Sequence, residues 1–285
     1  MSSRLFEPIA IVGRACVLPG ALSPEQLWEL VAAGRDAISS VDPGRWRVAP
    51  EDVMCEPDRP LADRTWTDRG GYVRGFEDLW DPDGFAIPAA ELGGLDPLFH
   101  WLLHCAREAL ADAGDRRRGA VERSRVAAVF GNLGFPTEQM NHYAEALWGI
   151  EGRPSGDPKG RRRAGGPPGF AKQNLGGVFR RIAETPTGAR NRFMSGGAAA
   201  LLERALGLMP GVVALDTACA SSLYAIELGC ALLQDRRADR VLAGAVNRAD
   251  DLFLHVGFAA LRALSRSGRS RPFHAEADGL LPAEG

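Results

Sequence analysis

The 285-residue chain is short of several things, and each shortage removes a class of function. It has five cysteines, Cys16, Cys55, Cys105, Cys219 and Cys230, an odd number, widely scattered and without paired metal-ligand spacing. That usage argues against a disulfide scaffold or a paired-cysteine zinc site and leads us to expect free thiols in a reducing, cytoplasmic setting. No apolar run approaches the roughly twenty residues that a bilayer span requires. The opening MSSRLFEPIAIVG lacks the basic, apolar and small-residue succession of a secretory signal. Neither sign of charge is in excess: the formal net charge is −2, which gives no reason to expect a nucleic-acid partner. One basic cluster, Arg161-Arg162-Arg163, sits among Gly and Pro and reads as a solvated loop.

What is present is an ordinary globular composition, 45% hydrophobic and 25% charged, long enough to bury a sizeable core. Three apolar runs read as buried strands: Pro8 to Val12, Arg125 to Phe130 closing on Gly131-Asn132, and Arg240 to Val246. A shorter one runs from Val212 to Leu215. Between them lie helical patterns. Ser23-Pro24-Glu25-Gln26 supplies an N-cap and a proline at the first helical position, with a stop at Gly34. Asp96-Pro97 opens a helix carrying Leu98, Trp101, Leu102, Cys105, Ala109 and Leu110 at helical spacing, ended by Gly114. Ala198 to Leu208 reads as ordered, and Cys219 to about Gln234 as a helix. Residues from about 41 to 95 read as surface excursions with short elements, and about 151–190 as a flexible insertion rich in Gly, Pro, Arg and Lys. Apolar strands alternating with helices predict an α/β fold around a largely buried sheet.

The segment Val212-Val213-Ala214-Leu215-Asp216-Thr217-Ala218-Cys219-Ala220-Ser221-Ser222-Leu223 carries the chemistry. A strand ends, the chain turns through small and polar residues, and a cysteine starts a helix. Unpaired N–H groups and the partial positive charge at a helix start favour thiolate and can hold an oxyanion. Ala218 and Ala220 leave room beside the sulfur. On its own, a cysteine at a helix start reads by default as a buried structural thiol. Asp216 and Thr217 read as turn formers whose side-chain oxygens cap the helix, Ser221 and Ser222 as locally bonded, and Cys230 as core. His100 and His104 share a helix face, but no third metal ligand is evident, and they read as core or interface residues. His142 and His255 have no catalytic neighbours in sequence, and His274 reads as structural. Gly244, Gly257 and Gly279 read as sites of close packing, since no phosphate-loop pattern surrounds them.

DTACASSL resembles the active-site signature of β-ketoacyl synthases, whose cysteine follows Asp-Thr-Ala or Asp-Ala-Ala. PIAIVGRACVLPG and SPEQLWELVAAGRDAI resemble the opening of ketosynthase domains in modular and iterative polyketide synthases. LDPLFHWLLHCAREALADAG stands where that family has its dimer-side helix, without the usual Asp-Pro-Gln-Gln-Arg run. SRPFHAEADGLLPAEG resembles its Arg-Pro-Phe-Asp and Ala-Asp-Gly-Phe-Val stretch. GNLGFPTE and the run AGAVNRADDLFLHVGF onward are similar to ketosynthases of polyunsaturated fatty acid synthases and heterocyst-glycolipid synthases.

The resemblance implies a thiolase-like fold of α-β-α-β-α layers, with residues 1–285 forming mainly its first half and the carboxy-terminal half absent. It implies Cys219 as the acyl-accepting nucleophile, no bound cofactor or metal, and substrates carried as phosphopantetheine thioesters on an acyl carrier protein. The implied reaction is decarboxylating Claisen condensation in fatty acid or polyketide biosynthesis. The implied partners are the acyl carrier protein, other synthase domains and, for a complete domain, a second copy. The family completes its site with histidines in His-Gly-Thr-Gly-Thr and Lys-Ser-Asn-Ile-Gly-His segments, and neither occurs in this sequence. An isolated chain is therefore expected not to complete condensation. The alternative is a non-catalytic scaffold for dimerisation or carrier docking.

Overall fold

The computed structural model describes residues 7–46, 49–115, 125–132, 195–248 and 252–285. The insertion expected at about 151–190, the Arg161 cluster and His142 lie outside them. In chain order the elements are α1 (Pro24–Ala32), β1 (Ile38–Ser40), α2 (Pro50–Val53), β2 (Arg69–Gly71), α3 (Ala89–Leu92) and α4 (Pro97–Asp112). They continue with β3 (Val126–Asn132), α5 (Ser195–Leu206), β4 (Val213–Leu215), α6 (Ser221–Gln234), β5 (Arg240–Val246) and α7 (Leu252–Ala260).

The caps written in the sequence set two helix starts. The Ser23 hydroxyl accepts the Gln26 N–H at 3.2 Å, and the Asp96 carboxylate accepts the Leu98 N–H at 2.9 Å. Each satisfies one of the donors a helix start leaves unpaired. Gly34 and Gly114 follow these helices at φ of +61° and +85°, which a side chain would oppose. Asp96 is almost fully buried, and its second carboxylate oxygen accepts from Arg248 at 2.5 Å, tying the chain just past β5 to the start of α4.

β3 is the centre of a parallel three-stranded sheet in the order β4-β3-β5, and all seven of its residues are buried. Its alternation sorts the layers. Val126, Ala128 and Phe130 point into the main core with Leu98, Leu102, Ala106 and Leu110 of α4 and Leu202 and Leu206 of α5. The opposite face carries α6, whose Ser221, Ala225 and Gly229 are its buried residues. Helix, sheet and helix thus stack in layers, the arrangement a buried parallel sheet needs. β4 and β5 are less covered than β3, so the largely buried sheet expected from sequence is realised in full at its middle strand.

Two expectations fail. Pro8 to Val12 is not a strand, and Ile11 is 86% and Val12 59% exposed. An apolar run becomes a strand only when a neighbour takes its backbone hydrogen bonds, and among the described residues none does. The chain settles onto α4 only at Gly13, where a Cβ would lie 2.1 Å from the Ala109 carbonyl oxygen, and at Arg14, whose N–H reaches Asp112 at 2.8 Å. Second, residues 41–95 are irregular but are not a surface excursion. Trp46, Val53, Trp66, Tyr72, Phe76, Phe85, Leu92 and Leu95 are all buried. The aromatic content that hid any period is core. Trp46 and Val53 pack on Leu252 and Val256 of α7, and Trp66 packs on Ala259 and Leu264. The last residues close this layer. Gly71 bridges Ala283, and the buried Glu284 carboxylate accepts from the Val73 N–H at 2.5 Å and pairs with Arg45.

Candidate active site

Leu215, the last residue of β4, pairs with Gly131, which pairs in turn with Ala245 of β5. The chain leaves the sheet here, at the carboxyl ends of three parallel strands, where open α/β sheets place their sites. Asp216 turns it first, its carboxylate accepting the N–H of Ala218 at 3.0 Å. Ala218 has φ of +52°, a left-handed conformation that alanine rarely adopts. Ala218–Ala220 form a short 3-10 turn, and α6 starts at Ser221. The helix therefore begins two residues later than the sequence pattern suggests, with Cys219 in the tight turn that feeds it. Cys219 is exposed.

Ser221 closes the turn from below. Its hydroxyl accepts the Thr217 N–H at 3.0 Å and donates to the Ala218 carbonyl at 2.7 Å, the local bonding expected of it. It sits directly on Gly131, where a Cβ would come within 2.5 Å of the Ser221 Cβ. Gly131 is thus a close-packing position beneath the turn, which its reading as a strand end did not capture. The signal was available: Ser221, Ala225 and Gly229 recur every four residues on one side of α6, and a Cβ on Gly229 would reach Val241 at 3.1 Å. A helix lined with small residues comes close to its sheet, and the strand beneath must be small too.

The other singled-out residues are engaged elsewhere. His100 bonds the Leu92 carbonyl at 2.8 Å and stacks on Trp80 with ring centroids 4.5 Å apart, while His104 lies edge-on to Phe76. Burial holds both imidazoles below the ordinary histidine range. His255 is fully buried between Trp46 and Tyr72, and His274 accepts the Glu276 N–H through Nδ1 at 3.1 Å. Cys230 is half-buried rather than core, because it lies off the stripe that faces the sheet. Gly244 and Gly279 are close-packed, a Cβ there meeting the Phe130 ring at 3.2 Å and the Leu264 backbone at 2.5 Å. Gly257 has open space instead.

Among the thiols, burial pushes Cys105 up to about 12, and burial with the nearby Glu25 carboxylate raises Cys16. A cavity of about 700 Å³ lies between the start of α1 and α4, lined by Cys16, His104, Arg107, Glu108 and Asp112. It does not include Cys219, and the thiol it does include, Cys16, is a raised one. Among the described residues no group of acidic, cysteine and histidine side chains is arranged to hold a metal. No described helix is long and apolar enough to cross a membrane.

The sequence profile described as "Beta-ketoacyl synthase, N-terminal domain" matches residues 6–285. The chain belongs to the β-ketoacyl synthase family. It is 33% identical over 282 residues to a phenolphthiocerol/phthiocerol polyketide synthase of Mycobacterium tuberculosis, covering 99% of this chain and 13% of that protein. It is 34% identical over 282 residues to pikromycin polyketide synthase component PikAII of Streptomyces venezuelae, covering 98% of this chain and 6% of that protein. The ketosynthase chain thus spans a small fraction of these relatives' length. Of solved structures, the PfaC keto synthase–chain length factor superposes with a TM-score of 0.76 at 28% identity over 96% of this chain and 28% of its own. A ketosynthase from module 6 of the bacillaene synthase of Bacillus subtilis 168 superposes with a TM-score of 0.67 at 20% identity, over 96% of this chain and 38% of its own. The fold is thiolase-like, as the sequence resemblance implied.

Proposed function

We propose that this ketosynthase chain takes part in decarboxylating condensation, with Cys219 as the acyl acceptor. The observation that carries the reading is the placement of Cys219. It is the exposed thiol, in a left-handed turn held by Asp216 and Ser221, at the carboxyl end of the parallel sheet. In the proposed first step, the Cys219 sulfur attacks the carbonyl of an acyl thioester carried on the phosphopantetheine arm of an acyl carrier protein. The carrier thiol leaves with a proton, and an acyl–Cys219 thioester remains. In the second step, a malonyl-type thioester loses carbon dioxide, and its carbanion attacks the acyl–Cys219 carbonyl. The C–C bond forms, the C–S bond breaks, and the β-ketoacyl group stays on the carrier. Covalent acylation divides one hard step into two easier ones.

Stabilising the enolate requires the histidines of the two family segments that these 285 residues do not contain. In this reading the chain is the amino-terminal part of a ketosynthase domain, and the histidines come from chain beyond it. The exposed apolar side chains agree: Ile11 and Val12, and separately Leu223, Tyr224, Ile226 and Leu228 of α6, are apolar surface that the rest of a thiolase-like domain would cover. A cytoplasmic setting, dimerisation and service alongside other synthase domains belong to the same proposal.

The test is product formation. Purified chain supplied with acyl and malonyl carrier thioesters is expected to give no β-ketoacyl product, and a synthase carrying the complete domain should give product that Cys219→Ala abolishes. Product from the chain alone would contradict the division of the site. Undiminished product from the Cys219→Ala synthase would leave the scaffold reading in its place.

A further inference from the structure

Cys219 stands in a turn whose geometry is held by a side chain that the acyl-transfer scheme does not use. Ala218, one residue before the sulfur, is left-handed at φ of +52°, and an alanine left to itself would relax toward negative φ. Such a conformation persists only where its surroundings over-determine it. The surroundings here are specific. Ser221 is 7% exposed, and its hydroxyl reaches back along the chain to both sides of the strained residue. It accepts from the Thr217 N–H at 3.0 Å and donates to the Ala218 carbonyl at 2.7 Å. The serine cannot drift, because Gly131 of β3 lies directly under it and leaves no slack. Ser222, next in sequence, is exposed, so the two serines of the motif are not equivalent.

We propose that Ser221 is a positioning residue for Cys219: its hydroxyl staples Thr217 to Ala218 and so holds the left-handed turn that presents the sulfur. This rests on the reading of Cys219 as acyl acceptor. Losing the staple leaves the Ala218 carbonyl with only the Ser221 N–H and the Ala218 N–H with the Asp216 carboxylate, so the left-handed residue loosens and Cys219 loses its fixed orientation. The sulfur itself is chemically untouched. The rate of attack falls while binding of the thioester's carrier arm does not, since misplacing a reacting group costs rate far more than affinity.

The experiment uses the full chain as parent, Ser221→Ala, Ser221→Thr and the double variant Ser221→Ala with Ala218→Gly, each checked for folding by circular dichroism. Two rates are read by peptide mass: acylation of Cys219 by an acyl-phosphopantetheine thioester over a concentration series, and alkylation of Cys219 and Cys230 by iodoacetamide. Ser221→Ala is expected to slow acylation about tenfold or more, with the half-saturating thioester concentration within about twofold of parent. Alkylation of Cys230, on the same helix, stays at the parental rate. Glycine adopts positive φ without steric cost, so adding Ala218→Gly restores at least about threefold of the lost rate. Should Ser221→Ala fail to fold, Ser221→Thr decides. Retaining the hydroxyl, it keeps acylation within about threefold of parent, and a folded threonine variant slowed tenfold or more overturns the staple. Parental acylation by folded Ser221→Ala also overturns it, as does a slowed rate that shifts Cys230 alkylation equally and that glycine does not rescue. If the parent takes no acyl group at all, the acyl-acceptor reading fails, and the Cys219 alkylation rates judge the staple alone.

Discussion

Two apolar runs in this ketosynthase chain look alike on paper and end in opposite surroundings. Val126 to Asn132 is buried at every position, with β4 on one side and β5 on the other. Pro8 to Val12 carries as much apolar surface per residue, yet Ile11 and Val12 stand mostly in solvent. The difference lies in partners rather than composition. A strand is a hydrogen-bonding arrangement before it is a hydrophobic one, and β3 has a neighbour for each edge. Helices show the same contrast. α4 buries residues all round, from Leu98 and Phe99 to Leu103 and Ala106, because sheet, α5 and the aromatic layer enclose it. α6 has an equally apolar sequence and a single charge, Glu227, yet it buries only its small stripe and leaves Leu223, Tyr224, Ile226 and Leu228 outward. A helix apolar on every side is normally enclosed. The uncovered half of α6 is the side away from the sheet, and it begins beside Cys219.

The contrast can be broken by substitution, with the largest effect at the enclosed end. Leu103→Ala, at a position with no exposure, is expected to cost about 2–5 kcal/mol in denaturant unfolding, whereas Ile11→Ala should stay within about 0.5 kcal/mol. Equal losses at the two sites would mean that the first run is packed in solution after all. Next comes Gly131→Ala, which pushes a methyl against Ser221 and is expected to cost about 1–3 kcal/mol by overpacking. A neutral result would show that α6 does not seat on β3 as closely as described. The smallest effect is in pH. Burial depresses the His100 and His104 imidazoles, so below about pH 6.5 the unfolded chain binds protons that the folded chain refuses, and stability drops. The melting temperature is expected to fall between about pH 7.5 and about pH 5.5, less steeply in His104→Leu. An identical fall in the variant would place the titration elsewhere.

How much of this was legible beforehand follows the same division. Caps at Ser23 and Asp96 and glycine stops at Gly34 and Gly114 are legible because local hydrogen bonds and backbone sterics decide them, whereas the β3, β4 and β5 runs match their strands because each also finds a partner. The cysteine turn was legible as a junction of strand and helix. Its left-handed Ala218 and its seat on Gly131 were not, since both depend on how closely α6 approaches a strand remote in sequence. Residues 41–95 defeat a reading from periodicity for a related reason. Trp46, Trp66 and Tyr72 are recruited by α7 and by the last residues of the chain, and no periodicity within the segment reports a partner that distant.

The central claim is that the turn presents Cys219 for acylation, and the direct measurement is intact mass with peptide mapping after incubation of the folded chain with an acyl-phosphopantetheine thioester. The account predicts one acyl adduct, on the peptide containing Cys219, absent from Cys219→Ala. An adduct that maps to another cysteine, or none on a chain shown to be folded, would contradict it.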